Sequence, residues 1–143
     1  MNDALISVDT VEEILPRWSE TPIGDLLAYH NLGKPHGAYD RAELLVAMCM
    51  DHRKVLRIPD NFAYILRTGG ANLGRIEFKA SYAVAVGGVR AIALIAHDDC
   101  GMVSLLDRRE TFIEGLVRHG WDRAEAEEHF DTHAPLFRID DPI

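Results

Sequence analysis

The chain has 143 residues, 48% of them hydrophobic, which suits one globular domain with a core of its own. Its formal charge of −8, from 23 acidic and 15 basic side chains, argues against nucleic acid as a partner, because phosphate binding needs a basic surface. No apolar run approaches the roughly 20 residues of a membrane span, and the start MNDALISVDT lacks the basic residues of a signal peptide, so a cytoplasmic protein without membrane contact is expected.

Residues 10–31 predict two short helical pieces. Thr10 can cap the first, with Glu13 at capping-box spacing, and Pro22 suits the first turn of the second. Val11, Ile14, Leu15, Trp18, Ile23, Leu26 and Leu27 form apolar stripes rather than a complete core. This N-terminal arm, within residues 1–40, must therefore pack on something else, either its own sheet or a second subunit. The stretch LGKPHGAYDRA breaks regular structure.

Residues 43–48 predict a first strand and residues 62–66 a second, which ends in the glycine-rich RTGGANLG. Residues 76–86 carry few charges and many small side chains, which predicts a helix largely buried against the sheet. A third strand is expected at 89–96 and an amphipathic helix at 104–119. Asp122 can cap a further helix, RAEAEEHF, with Glu125 at capping-box spacing, while the tail THAPLFRIDDPI shows no clear periodicity. The whole reads as one α/β domain over 1–143. Its sheet is short, mainly parallel, of about three to four strands, and flanked by helices. The metal-site core falls in 44–103, with C-terminal helices and tail over 104–143.

The only two cysteines lie in LLVAMCMDHR and AIALIAHDDCGM. Each motif follows an apolar run of strand length, so Cys49 and His97 fall at or just past the ends of buried strands. If those strands are parallel neighbours joined by crossovers, their ends meet in space. Cys49, His97 and Cys100, the last two spaced H-x-x-C, can then converge as two thiolates and one imidazole. That is a soft, tetrahedral zinc set with a fourth position left over, although cobalt or iron would accept the same ligands. The plainer alternative is a buried strand cysteine, a satisfied loop histidine and a bystander. Assigning both cysteines to metal leaves none for disulfides, in keeping with a reducing compartment. At the same sheet edge, Gly69 and Gly70 would let backbone amides approach a ligand closely, as the wall of a substrate pocket.

Four stretches, C-M-D-x-R at Cys49 to Arg53, R-x-x-G at Arg67 to Gly70, S-Y-A-V at Ser81 to Val84 and H-x-D-C-G-M at His97 to Met102, together resemble the β-class carbonic anhydrases. The resemblance covers roughly residues 44–103 and points to the shorter prokaryotic branch. It implies that Cys49, His97 and Cys100 bind Zn2+, that Asp51 pairs with Arg53, and that zinc-bound hydroxide converts CO2 to bicarbonate reversibly. Asp51 would accept a hydrogen bond from the metal-bound water while Arg53 holds its carboxylate. Released by Arg53, Asp51 could instead close onto the metal. A homodimer or higher homo-oligomer, with the N-terminal arm docking across the interface, is also implied.

Three departures from the family pattern stand out. His52 takes the place of the usual serine and Ala96 that of the usual glycine, and family members commonly continue past the equivalent of Ile143 into another helix and strand. His52 could carry protons from the site. A truncated C-terminus would leave a sheet edge for a partner subunit to cover. The same site could hydrolyse carbonyl sulfide or carbon disulfide, or serve a weakly active or noncatalytic zinc protein. His30, His36, His119, His129 and His133 lie outside the motifs and are read as solvated, although His129 and His133 have the i,i+4 spacing of a metal pair.

Overall fold

The computed structural model describes residues 5–72, 74 and 76–139. A three-stranded, all-parallel sheet is built from β1 (Leu44–Cys49), β2 (Ala63–Thr68) and β3 (Ala91–Ile95), in the order β2-β1-β3. Every residue of the central strand is buried, as a strand covered on both faces requires. Leu44 pairs with Ala63 and Ala91, and Met48 with Arg67 and Ile95, so all three strands run in step and their C-terminal ends share one edge.

Helix α1 (Pro22–His30) covers one face of this sheet. Its Leu26 and Tyr29 pack with Leu44, Val46, Met48 and Phe62 in the main core. This part of the arm therefore packs on its own sheet. The first expected helix shrinks to a single 3₁₀ turn at Val11–Glu13, with the Thr10 and Glu13 capping box formed.

Helix α2 (Glu77–Ala85) departs from expectation: it is not largely buried, and Ala83 is its only buried residue. It rests on the sheet through small side chains and turns Phe78, Tyr82 and Val84 outward; Phe78 is 83% exposed. A low charge count does not by itself bury a helix: only one narrow stripe of α2 faces the sheet.

The helix expected at 104–119 begins as a 3₁₀ turn at Leu106–Arg108 and becomes α3 (Arg109–Arg118). Helix α4 (Arg123–Phe137) starts as predicted on Asp122, whose Oδ1 accepts from the amides of Ala124 and Glu125 at 2.8 and 3.3 Å. It then runs on through Pro135, where the sequence suggested no regular structure. Phe130 and Ala134, one turn apart, are both buried, and this packing outweighs the one hydrogen bond that a proline removes. Phe112 of α3 lies against Phe130 at 5.1 Å, and Arg109 joins Asp131 at 2.7 Å. Residues 140–143 of the tail lie outside the described residues. Among the described residues, no helix is long and apolar enough to cross a membrane.

Candidate metal centre

The shared C-terminal edge of the sheet assembles the site. Cys49 is the last residue of β1, and the chain that leaves β3 at Ile95 delivers His97 and Cys100 beside it. Asp99, between those two, takes a left-handed backbone (φ +55), which short polar side chains tolerate better than most and which curls the two-residue span. The ligand atoms of Cys49, His97 and Cys100 all lie within 4.8 Å of one another, and the two sulfurs are 3.8 Å apart. Both cysteines are free and buried.

His97 is oriented for ligation. Its Nδ1 lies 2.7 Å from the carbonyl of Asp98, to which it donates, leaving Nε2 as the lone-pair nitrogen facing the sulfurs. That Nε2 is buried and has no hydrogen-bond partner. A buried acceptor without a partner costs free energy unless something fills its position. The chemistry of the donor set fits a soft divalent ion: two thiolates and an imidazole suit zinc, and three protein ligands leave one coordination position open. Cys49, His97 and Cys100 thus form a group that could hold a metal ion.

The thiols are tuned unequally. Burial alone would push the Cys49 thiol up, but the adjacent His97 ring and the amides of Asp51 and Gly70 outweigh it and bring Cys49 down from 9.0 to about 7. The Gly70 amide donates to its sulfur at 3.3 Å. Burial raises Cys100, and the neighbouring Cys49 adds to the rise. The Cys49 thiol it faces raises His97, against the effect of burial.

Gly70 thus meets the site through its backbone amide, whereas neither Gly69 nor Gly70 lines the cavities that reach the ligands. Gly70 has φ +63, and a Cβ there would approach Ile139 Cδ1 to 2.5 Å; Met102 packs against Gly69. The positive φ favours glycine at position 70, and a side chain there would also have to displace that of Ile139.

Asp51 and Arg53 stand just beyond Cys49. Arg53 Nε donates to both carboxylate oxygens at 3.0 Å, and its Nη2 reaches Oδ2 at 2.5 Å. These bonds hold the Asp51 carboxyl well below the usual carboxylate range. Asp51 Oδ2 is 4.0 Å from His97 Nε2. A second anchor was not foreseen from the sequence: Arg53 also donates to the Asp99 side chain at 3.3 Å and to its carbonyl at 3.2 Å, tying the two loops together. His52 is almost fully exposed, with Nδ1 3.9 Å from Asp51 Oδ1.

Among the described residues, two cavities reach the ligands. One of about 350 Å³ is lined by Cys49, Arg53, Ile95, Ala96 and His97, and an open cleft of about 690 Å³ by Asp51, Arg53, Cys100 and Gly101. The cleft shares Met50, Met102 and Leu105 with a more apolar cavity of about 490 Å³ under α3 and α4. His129 and His133 line that cavity with ring centroids 4.8 Å apart, but no third ligand joins them among the described residues. The sequence also passed over Arg67 except as part of a motif. Its position at the end of β2, one strand from Cys49, was the signal. No family model matches the chain, and no curated protein matches it.

Proposed function

We propose that the chain is a zinc-dependent carbonic anhydrase that interconverts CO2 and water with bicarbonate and a proton. The observation that carries the reading is the Cys49, His97 and Cys100 group with the Arg53-held Asp51 carboxylate 4.0 Å from His97 Nε2. When bound there, zinc would lower the pKa of a water toward about 7, making hydroxide available near neutral pH.

The chain's own residues do the rest. Asp51 stays ionised because Arg53 pairs with it, so it can act as an acceptor that orients a water hydrogen and aims the oxygen lone pair at carbon. Held by Arg53, the Asp51 carboxylate would stay off the metal and leave the fourth coordination position free. The Gly70 amide stabilises the Cys49 thiolate. Apolar side chains at Met50, Met102 and Leu105 suit an uncharged heterocumulene, and this is what keeps carbonyl sulfide and carbon disulfide in view as substrates.

Stopped-flow CO2 hydration by zinc-loaded protein, with zinc content measured on the same samples, tests the reading. Turnover should fall by about a hundredfold or more in Asp51→Ala while zinc stays bound. Fully loaded protein that barely exceeds the buffer rate would sink the anhydrase assignment; activity on the sulfur analogues alone would redirect it, and silence on all three substrates would leave a noncatalytic zinc protein.

The same reading includes a homodimer. Large apolar side chains stand exposed on α2 (Phe78, Tyr82) and on β3 (Ile92, Leu94), more than a monomer comfortably shows to water. Light scattering behind size exclusion should report a dimer, and Phe78→Glu combined with Leu94→Glu should shift it toward monomer. A wild-type chain monomeric at micromolar concentration would defeat this part.

A further inference from the structure

The backbone that carries Cys49 and Asp51 leaves the sheet at its centre, where its carbonyls have no strand to pair with. One side chain meets three of them. Arg67 Nε donates to the Cys49 carbonyl at 3.0 Å, and its Nη2 donates to the carbonyls of Asp51 and Lys54 at 2.7 and 2.8 Å. Arg67 stands opposite Met48 in the β1 and β2 register, so its guanidinium reaches just past the strand end that Cys49 terminates. The next residue helps: the Thr68 carbonyl accepts from the Met50 amide at 3.1 Å.

We infer that Arg67 is a positioning residue of the metal centre, fixing the loop from Cys49 to Lys54 so that the Cys49 sulfur and the Asp51 carboxylate face the same point. This rests on the metal-centre reading above and deepens it. The geometry favours arginine specifically. A planar fork can serve three carbonyls spread over six residues, whereas a lysine ammonium is a compact charge that meets one or two of them. Both functional side chains are joined to clamped carbonyls, so loosening the clamp frees two parts of the site together. Groups that orient ligands in this indirect way typically alter metal affinity by about ten- to a hundredfold.

The test compares the unmodified chain with Arg67→Lys and Arg67→Met, each loaded with Zn2+, following release of the ion to a chromophoric chelator and checking the fold by circular dichroism. The Met variant should release zinc about ten- to a hundredfold faster, with the Lys variant in between. Folded variants that release zinc at the wild-type rate would overturn the inference.

If neither variant folds, the unmodified chain decides. The Arg67 Nε proton should exchange slowly and give a resolved nitrogen-correlated resonance, and exchange as fast as in free arginine would overturn the inference. A wild-type chain that binds no zinc defeats both readings. One that binds zinc but does not hydrate CO2 defeats only the anhydrase assignment and leaves the Arg67 comparison decisive.

Discussion

Replacing Cys49 with serine is expected to weaken zinc binding by on the order of a hundredfold or more while leaving the sheet folded. Structural zinc sites draw roughly 10–16 kcal/mol from four ligands, so one thiolate is worth about 3 kcal/mol, or about two decades of affinity. Cys49 is the least replaceable of the three. Its sulfur faces Cys100 at 3.8 Å, accepts the Gly70 amide and is the group that His97 faces. A serine hydroxyl keeps the volume but does not ionise near neutral pH.

The same ligand set fixes how binding varies with pH in the unmodified chain. Zinc requires both thiols deprotonated. In the metal-free chain Cys49 loses its proton at about 7, while burial keeps Cys100 protonated beyond its ordinary 9.0. Binding therefore releases one proton between about 7 and 9, and more below 7, where Cys49 is protonated and His97, itself raised, begins to charge. Release of protons means that affinity rises with pH, by about one decade per unit above pH 7 and more steeply below it. Competition against a chelator at several pH values measures both effects. Equal affinity of the serine variant and the parent, or a flat pH profile, would remove Cys49 from the site.

The placement of this centre was legible because it depends on local pattern. LLVAM and AIALI are apolar, strand-length runs that end at Cys49 and just before His97, and a parallel arrangement leaves their ends only one edge to share. What the sequence hid was set by contacts between distant segments. The partner that clamps the Cys49 loop is a side chain on another strand, and only its place at the end of β2, not its neighbours in sequence, sets Arg67 apart from a solvated arginine. The exposure of α2 was hidden for the opposite reason. IEFKASYAVAV is apolar enough to be interior, yet composition does not say how much of a helix the sheet can cover. Likewise, α4 continues through Pro135 because Ala134 is buried, a tertiary fact that local propensity opposes.

Replacing Phe62 with alanine is expected to cost about 3–5 kcal/mol of stability, the largest effect anticipated away from the metal ligands. Phe62 is fully buried at the entry to β2. Its ring meets Tyr29 edge-on at 5.5 Å and Tyr39 at 4.9 Å, so the loss removes aromatic contacts from α1, from the segment after it and from the sheet at once. Its carbonyl, which accepts the Glu43 amide at 2.9 Å, survives the substitution, so the backbone entry to β1 is kept and the cost is that of a cavity. Urea unfolding of the metal-free protein should show a midpoint lowered by at least ~1 M, given a slope of about 1–3 kcal/mol/M. The strands run in register from Leu44 opposite Ala63 to Cys49 opposite Thr68, which puts Phe62 at the far end of the sheet from the ligands. In the absence of urea the folded variant should therefore bind zinc within a few-fold of the parent. A cost below about 1 kcal/mol would mean that α1 does not depend on this ring. A large loss of zinc affinity in folded protein would mean that the two ends of the sheet are coupled more tightly than this packing provides.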